Sequence, residues 1–249
     1  ATRELASIGS DLARTGEQTA ARVDPDRLQV VDGTVPLDEV RRVTPDFERA
    51  SRQLSRSVRR LDSIDNAFLV SPVSKVLGKV DRELKVASHD ADDAVTAARL
   101  APAILGGDGT RRYFLAVQNG AEWRATGGFI GNWGILTSEG GKVRLDHFAR
   151  NSALNPPEAQ SRVLHAPEEY VRRYERFFPG LAWQNINMSP DFPTMAQIMT
   201  DAYRQATGDQ IDGILAVDPE GLAALMRLTG PVSVAGWPEP LSAQNVVRV

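Results

Sequence analysis

Arg124 and Arg150, at the ends of neighbouring predicted strands, are the residues of this chain best placed to do chemistry. They lie in RRYFLAVQNGAEWRATGGFIGNWGILTSEGGKVRLDHFARNS, Arg111 to Ser152. There an apolar strand, Tyr113 to Val117, runs into a polar turn carrying Gln118, Asn119, Glu122 and Arg124. Gly127, Gly128, Gly131 and Gly134 follow, and a second strand pair pivots at Glu139-Gly140-Gly141 before closing on Arg150-Asn151. A guanidinium presents a planar fork of donors that grips a phosphate bidentately, which an ammonium does less well. Two such forks with glycines between them can hold an anionic head group. The competing reading pairs each arginine on the surface with a nearby carboxylate, such as Glu122 or Asp146. The glycines are no dinucleotide fingerprint, since that motif needs a helix directly after them and Phe129 to Leu136 reads as strand. Close backbone packing or room for a ligand chain are the two options they leave.

Among carboxylates, Glu122, Asp146, Asp191, Asp212 and Asp218 are the candidates for a magnesium ligand or a general base. Glu122 stands first, two residues from Arg124. Asp191, in Ser-Pro-Asp-Phe-Pro, is either a turn residue or sits at a cleft mouth, and Asp218 reads most simply as a helix cap. His89, His147 and His165 show no metal spacing, and no Gly-x-Ser-x-Gly elbow is present, which speaks against zinc and hydrolase chemistry. Trp123, Trp133 and Trp183 serve either the core or an apolar groove. Trp123, flanked by Glu122 and Arg124, is the least core-like. Arg172, Arg173 and Arg176 share the polar side of a predicted helix, either a solvated face or one met by anionic lipid.

The elements that must position these groups change character near residue 106. The first part holds two aromatics, Phe47 and Phe68, and no tryptophan. Thr44 reads as an N-cap with Pro45 at the first helical position. Apolar residues then recur at Phe47, Ala50, Leu54, Val58, Leu61, Ile64 and Phe68. Ser71-Pro72 opens a second helix, and the two form an antiparallel hairpin with narrow apolar stripes. Residues 3–22 repeat the pattern more weakly, and Leu28 to Leu37 holds an Asp-Gly turn. This part reads as a spacer or packing arm. Beyond it, strands are expected at 112–117, 129–137, 142–149, 211–217 and 231–235, and helices at 167–177, 193–207 and 219–228. Tyr170, Tyr174 and Phe177 share one face of the first of these helices. Strand-helix-strand through DGILAVDPEGLAALMRLTGPVSV predicts a crossover unit. Residues 151–166, with two adjacent prolines, are long enough for a flap. The expected fold is an α/β (α+β) layer sandwich with a mixed central sheet, residues 105–249, after a helical segment, residues 1–104.

Composition narrows the function classes. A net charge of −3 argues against bulk nucleic-acid binding. The absence of cysteine excludes disulfides and thiolate metal sites. No window approaches a membrane span, and Ala1 opens no signal peptide. The chain begins inside a helical pattern without a cap, as expected for the soluble part of a longer anchored protein. SAQNVVRV, its last eight residues, reads as the first turns of a continuing helix.

QNGAEWRATGGFIG, followed by NMSPDFP and DGILAVDPEGLAALMRLTGPVSV, resembles membrane-anchored envelope proteins of actinobacteria, whose shared domain is of unknown function. More distantly, the domain is similar to the LytR-CpsA-Psr enzymes, extracytoplasmic phosphotransferases that move glycans from a polyprenyl pyrophosphate carrier to the cell wall. On that pattern Arg124 matches the first arginine of the enzymes, Arg150 the second and Asn187 a following asparagine. Asn119, Thr126 and Asn151 stand where those enzymes carry carboxylates for magnesium and proton transfer, and a further arginine-rich motif would fall beyond Val249.

The resemblance implies a LytR-CpsA-Psr-like fold, an extracytoplasmic location and a lipid-linked glycan as partner. Arg124, Arg150, Gln118, Asn119 and Asn187 would hold the phosphates. Glu122 or Asp191 would hold magnesium or act in catalysis, and Phe129, Ile130 and Trp133 would face the lipid tail. Arginines kept with carboxylates lost favour a pyrophosphate binder over a working transferase. The alternative is a non-catalytic scaffolding module whose helical part docks an envelope protein.

Overall fold

The computed structural model describes residues 2–63, 71–155 and 161–249. It is a mixed α/β chain that divides into two compact units, residues 1–110 with 138–143, and residues 111–137 with 144–249.

The first unit contains α1 (Thr2–Ala20), α2 (Leu37–Asp62) and α3 (Ser71–Ile104). Its core is thin, with Ile8, Leu61, Leu77 and Leu84 buried and Leu5, Leu12, Leu54 and Val58 packed around them. Small residues of α2 and α3 (Ser51, Ser57, Ser88 and Ala98) are buried. Ser55 and Ser88 share a 3.1 Å hydrogen bond, and Ser51 donates to Asp92. The expected start of α2 at Thr44 is corrected, because the helix begins at Leu37 and carries Pro45 inside it. Burial of Leu37 and Val43 draws the helix upstream. Pro45 removes a single backbone bond, and the Thr44 hydroxyl donates to the Val40 carbonyl instead of capping. The Asp-Gly turn forms as read: Asp32 and Gly33 both have positive φ, and Val31 bridges Thr34. Ile64 and Phe68 of the α2 stripe lie outside the described residues.

The second unit is built on four strands, β1 (Arg111–Asn119), β2 (Phe129–Glu139), β3 (Lys142–Arg150) and β4 (Gly213–Val217). Their order is β3-β2-β1-β4. β1 and β4 run parallel in a register that sets Tyr113 beside Gly213 and Val117 beside Val217. β2 and β3 are joined by Gly140-Gly141, both at positive φ, and so short a turn joins only antiparallel strands. The sheet is therefore mixed.

Short helical pieces carry the chain from β3 to β4: 3-10 turns at Asn151–Leu154 and Trp183–Met188, α4 (Glu168–Tyr174) and α5 (Phe192–Thr207). α6 (Pro219–Thr229) follows β4. The core centres on Phe114, which stacks on Trp133 at 5.4 Å and meets Tyr203 edge-on at 5.6 Å. Met195, Ile198, Met199 and Ala202 of α5 and Trp183 and Ile186 of the 3-10 turn close over it.

Three expectations fail here. Residues 231–235 form no strand, only a bridge from Val232 to Leu241, and Val232 and Val234 are exposed with no sheet neighbour. The crossover joining two parallel strands thus runs from β1 to β4 and not through α6. The predicted helix over 167–177 tightens to 3-10 geometry at Glu175–Phe177, which turns Phe177 out to 36% exposure while Tyr170 stays buried. Residues 243–248 form turns, with Asn245 bonded to Ser242, where a helix was expected. Of the predicted flap, residues 156–160 lie outside the described residues. Among the described residues no helix is long and apolar enough to cross a membrane.

Candidate functional site

The register of β1 and β4 brings their carboxyl ends to one edge of the sheet, the place where open α/β sheets take ligands. Nine residues after Asn119, Gly128 returns so close that a Cβ there would lie 2.4 Å from the Asn119 carbonyl oxygen. The intervening loop is two successive turns. The Asn119 carbonyl accepts from Glu122 N and the Arg124 carbonyl from Gly127 N, and a bond from Phe129 N to the Glu122 carbonyl closes the base. The Asn119 side chain accepts from Ala121 N at 3.0 Å, an Asx turn that starts the reversal. Gly127 and Gly128 have φ of 113° and 153°, which side-chain-bearing residues rarely adopt.

Under these glycines lie two amides. Asn187 is fully buried, and its Nδ2 donates to the Gly128 carbonyl at 2.7 Å. That bond fixes the amide orientation and leaves Oδ1 buried with no partner. Thr126 ties the same segment by donating to the Asn187 carbonyl at 3.4 Å. Gln118 is 5% exposed, with Nε2 buried and unpartnered and Oε1 2.8 Å from where a Gly127 Cβ would sit. Arg124 lies over the Phe129 ring at 5.6 Å and donates from Nη1 to the Trp123 carbonyl. Its Nε is a third buried atom without a partner. Most buried polar groups in folded proteins find a partner, so three orphans around one loop are unusual. Trp123, on the turn, is 90% exposed.

Arg150 approaches the same strand from β3. Its carbonyl accepts from Trp133 Nε1 at 3.2 Å, and Asn151 donates to the Ile130 carbonyl at 2.9 Å. The guanidinium itself is exposed. Neither anticipated surface pair forms: Asp146 is taken by Arg144, and among the described residues Glu122, Arg124 and Arg150 make no ion pair. Gln118, Asn119, Arg124 and Asn187 thus come together around Gly127-Gly128, and Arg150 flanks the first residues of β2.

The other candidates sit elsewhere or do other work. The Asp191 carboxylate caps α5, accepting from Thr194 N at 3.0 Å. Hydrogen bonds from Thr194 hold its carboxyl below the usual range. Asp191 also lines a cavity of about 350 Å³ with Tyr170, Tyr174 and Ser189, so both readings of it, turn and cleft mouth, meet at one residue. Asp218 caps α6 through Gly221 N, and Asp212 accepts from Arg111 and from Arg112 N. Ile130 and Trp133 are core side chains, 0% and 4% exposed, and Phe129 is half-buried under Arg124. Among the described residues no group of three or more acidic or histidine side chains could hold a metal ion. Sequence reasoning missed the link through Thr126 and the lack of partners on Gln118 and Asn187. Partner satisfaction depends on contacts between residues some 60 positions apart and leaves no local signal.

The model of a family described as a protein of unknown function (DUF4012) matches residues 108–249, more than half of the chain. The chain belongs to the DUF4012 family. The match contains β1 to β4 and every residue of the glycine-loop site. No curated protein and no solved structure matches the chain.

Proposed function

We propose that this domain binds the diphosphate head of a polyprenyl-linked glycan on the extracytoplasmic side of the cell membrane, with Arg124 and Arg150 as the phosphate contacts. The reading is carried by one observation. Arg124 and Arg150 have no carboxylate partner among the described residues, as is also true of Arg162, Arg172, Arg176, Arg227 and Arg248 of the same unit. Of these only Arg124 keeps a buried Nε without a partner, beside the unpartnered amide nitrogen of Gln118. Charge-assisted bonds to a phosphate would supply what the fold leaves open. Gln118 and Arg124 Nε lie beneath the loop, so their engagement needs a small shift of residues 120–128, for which Gly127 and Gly128 have the backbone freedom. Asn119 and Asn187 shape that loop.

Binding is favoured over phosphoryl transfer. Asp191 is committed to a helix terminus and its lowered pKa makes it a weak base. Glu122, two residues from Arg124 in the chain, remains the candidate for a magnesium ligand or a general base. The envelope setting, a membrane anchor and the likeness to the LytR-CpsA-Psr fold rest on the sequence resemblance alone. The scaffolding alternative gains support from Ile130 and Trp133, whose packing in the core keeps them from a lipid tail in this conformation.

The test is titration of a short polyprenyl diphosphate, farnesyl diphosphate, with and without magnesium, into the wild type and the Arg124→Ala/Arg150→Ala variant. Each lost contact is worth about 1.5–3 kcal/mol, so the double variant should bind well over tenfold more weakly. Equal binding by both proteins, or none by either, favours the scaffolding module.

A further inference from the structure

Away from the glycine loop, the segment Arg162 to Gly180 combines three features that the fold itself does not explain. A half-enclosed cavity of about 340 Å³ is lined by Leu164, Val171, Phe178 and Pro179, with Arg162 and Glu175 as its charged members. Arg162 is partly buried and has no carboxylate partner among the described residues. Its Nη1 donates to the Gly180 carbonyl and the Asn155 side chain at 3.3 and 3.4 Å, and Nη2 donates to the Leu154 carbonyl. Loss of hydration pushes its pKa down. The guanidinium also lies over the Trp183 ring at 5.6 Å, yet none of these neutral partners supplies the counter-charge that a partly desolvated cation favours.

The third feature is Phe178, whose backbone is left-handed at φ 52°, ψ 49°. This conformation is unfavourable for a bulky side chain and suits glycine or asparagine. A tight set of bonds holds it there, from Phe178 N to the Glu175 carbonyl and from Leu181 N and Ala182 N to the Phe178 carbonyl. Yet the ring is 68% exposed at the edge of the cavity. Strain and exposure at one aromatic residue, neither offset by packing, mark a position kept for contact with something else.

We infer that this cavity is a binding site for a small amphiphilic carboxylate, its head on Arg162 and its apolar body between Leu164, Val171 and the Phe178 ring. One cation and one acidic lining residue, Glu175, fit a singly charged head better than a doubly charged phosphate. The size is in the range of small-molecule sites, which are mostly apolar with one or two polar anchors. The site is separate from the arginines of the glycine loop and stands whether or not those bind a diphosphate.

The experiment titrates octanoate and the uncharged octan-1-ol into the wild type and Phe178→Asn, followed by NMR shifts, and records the melting temperature of both proteins. Asparagine tolerates the left-handed backbone, so the variant should melt higher than the wild type while binding octanoate at least tenfold more weakly. Octanol should bind the wild type at least tenfold more weakly than octanoate. Equal binding of octanol and octanoate, undiminished binding by Phe178→Asn, or no binding to the wild type would each overturn the inference. A lower melting temperature for Phe178→Asn would also overturn it, since Phe178 would then be held by packing within the fold.

Discussion

The helical unit and the glycine loop differ in how they hold their charged side chains. In the helices, Arg60 reaches Glu4, Asp11 and Ser7, Arg99 reaches Glu48, and Lys85 holds both Asp62 and Asp81. With a core of one isoleucine, one valine and a few leucines, these helices are also tied by networks of exposed charge. Around Gly127-Gly128, Gln118, Arg124 and Asn187 each keep a buried atom with no partner. Where charges are paired, they serve the fold. At Gln118 and Arg124 the proposed diphosphate would supply the partner that the fold does not.

The largest effect separating the two regions should come from Gly128→Ala. Its Cβ would meet backbone atoms of Asn119 and Gly120 at 2.4–3.0 Å in a left-handed conformation. A loss of ~2–3 kcal/mol in chemical denaturation is expected. Gly131→Ala, whose nearest contact would be Phe129 at an ordinary 3.8 Å, should stay within ~0.5 kcal/mol. Equal effects would show that the four glycines act as one packing feature.

Gln118→Met should raise stability by about 1 kcal/mol, because it replaces a buried unpartnered amide with an apolar side chain of similar length. The same variant should weaken diphosphate binding. A destabilised Gln118→Met would mean that ordered water already satisfies the amide.

A smaller effect is expected at Asp191. Its carboxyl is held below the ordinary 3.8, so its contribution is complete above about pH 4 and disappears as pH falls through the lower folded value. Asp191→Asn should retain the cap and the melting temperature at pH 7 and lose that acid-limb dependence, whereas Asp191→Ala should melt ~2 °C lower. Loss of ligand binding in Asp191→Asn would give the residue a role beyond capping. The smallest effect belongs to the helices: Arg60→Ala should lower the melting temperature by ~1–2 °C, with the difference shrinking in 1 M salt as exposed pairs are screened.

Legibility in the sequence followed the range of the interactions involved. β1, β2, β3, α3, α5 and α6 could be read because their signals are local: apolar runs, the Gly140-Gly141 turn, the Ser71-Pro72 start, the Asp218 cap and the helix end at Gly208. The start of α2 was misplaced because Thr44-Pro45 is a strong local cap signal, overridden by burial of Leu37 and Val43. The strand expected at 231–235 failed for a complementary reason, since apolar valines do not make a strand without a sheet edge to receive them. At the site, residue types and turn chemistry pointed to Arg124, Gln118 and Asn119. Asn187 was reached only through family likeness. That Arg124 and Arg150 are unpaired while Arg144 takes Asp146 depends on side-chain directions that strand spacing does not encode.

The measurement closest to the central claim compares unpaired with paired arginines. Inorganic pyrophosphate would be titrated calorimetrically at low salt into the wild type, Arg124→Ala/Arg150→Ala, and the control Arg111→Ala/Arg173→Ala. The account predicts saturable binding, reduced well over tenfold in the first variant and within about twofold of wild type in the control. Equal losses in both variants would show that pyrophosphate senses only the overall charge of the unit, and would contradict a built site at the glycine loop.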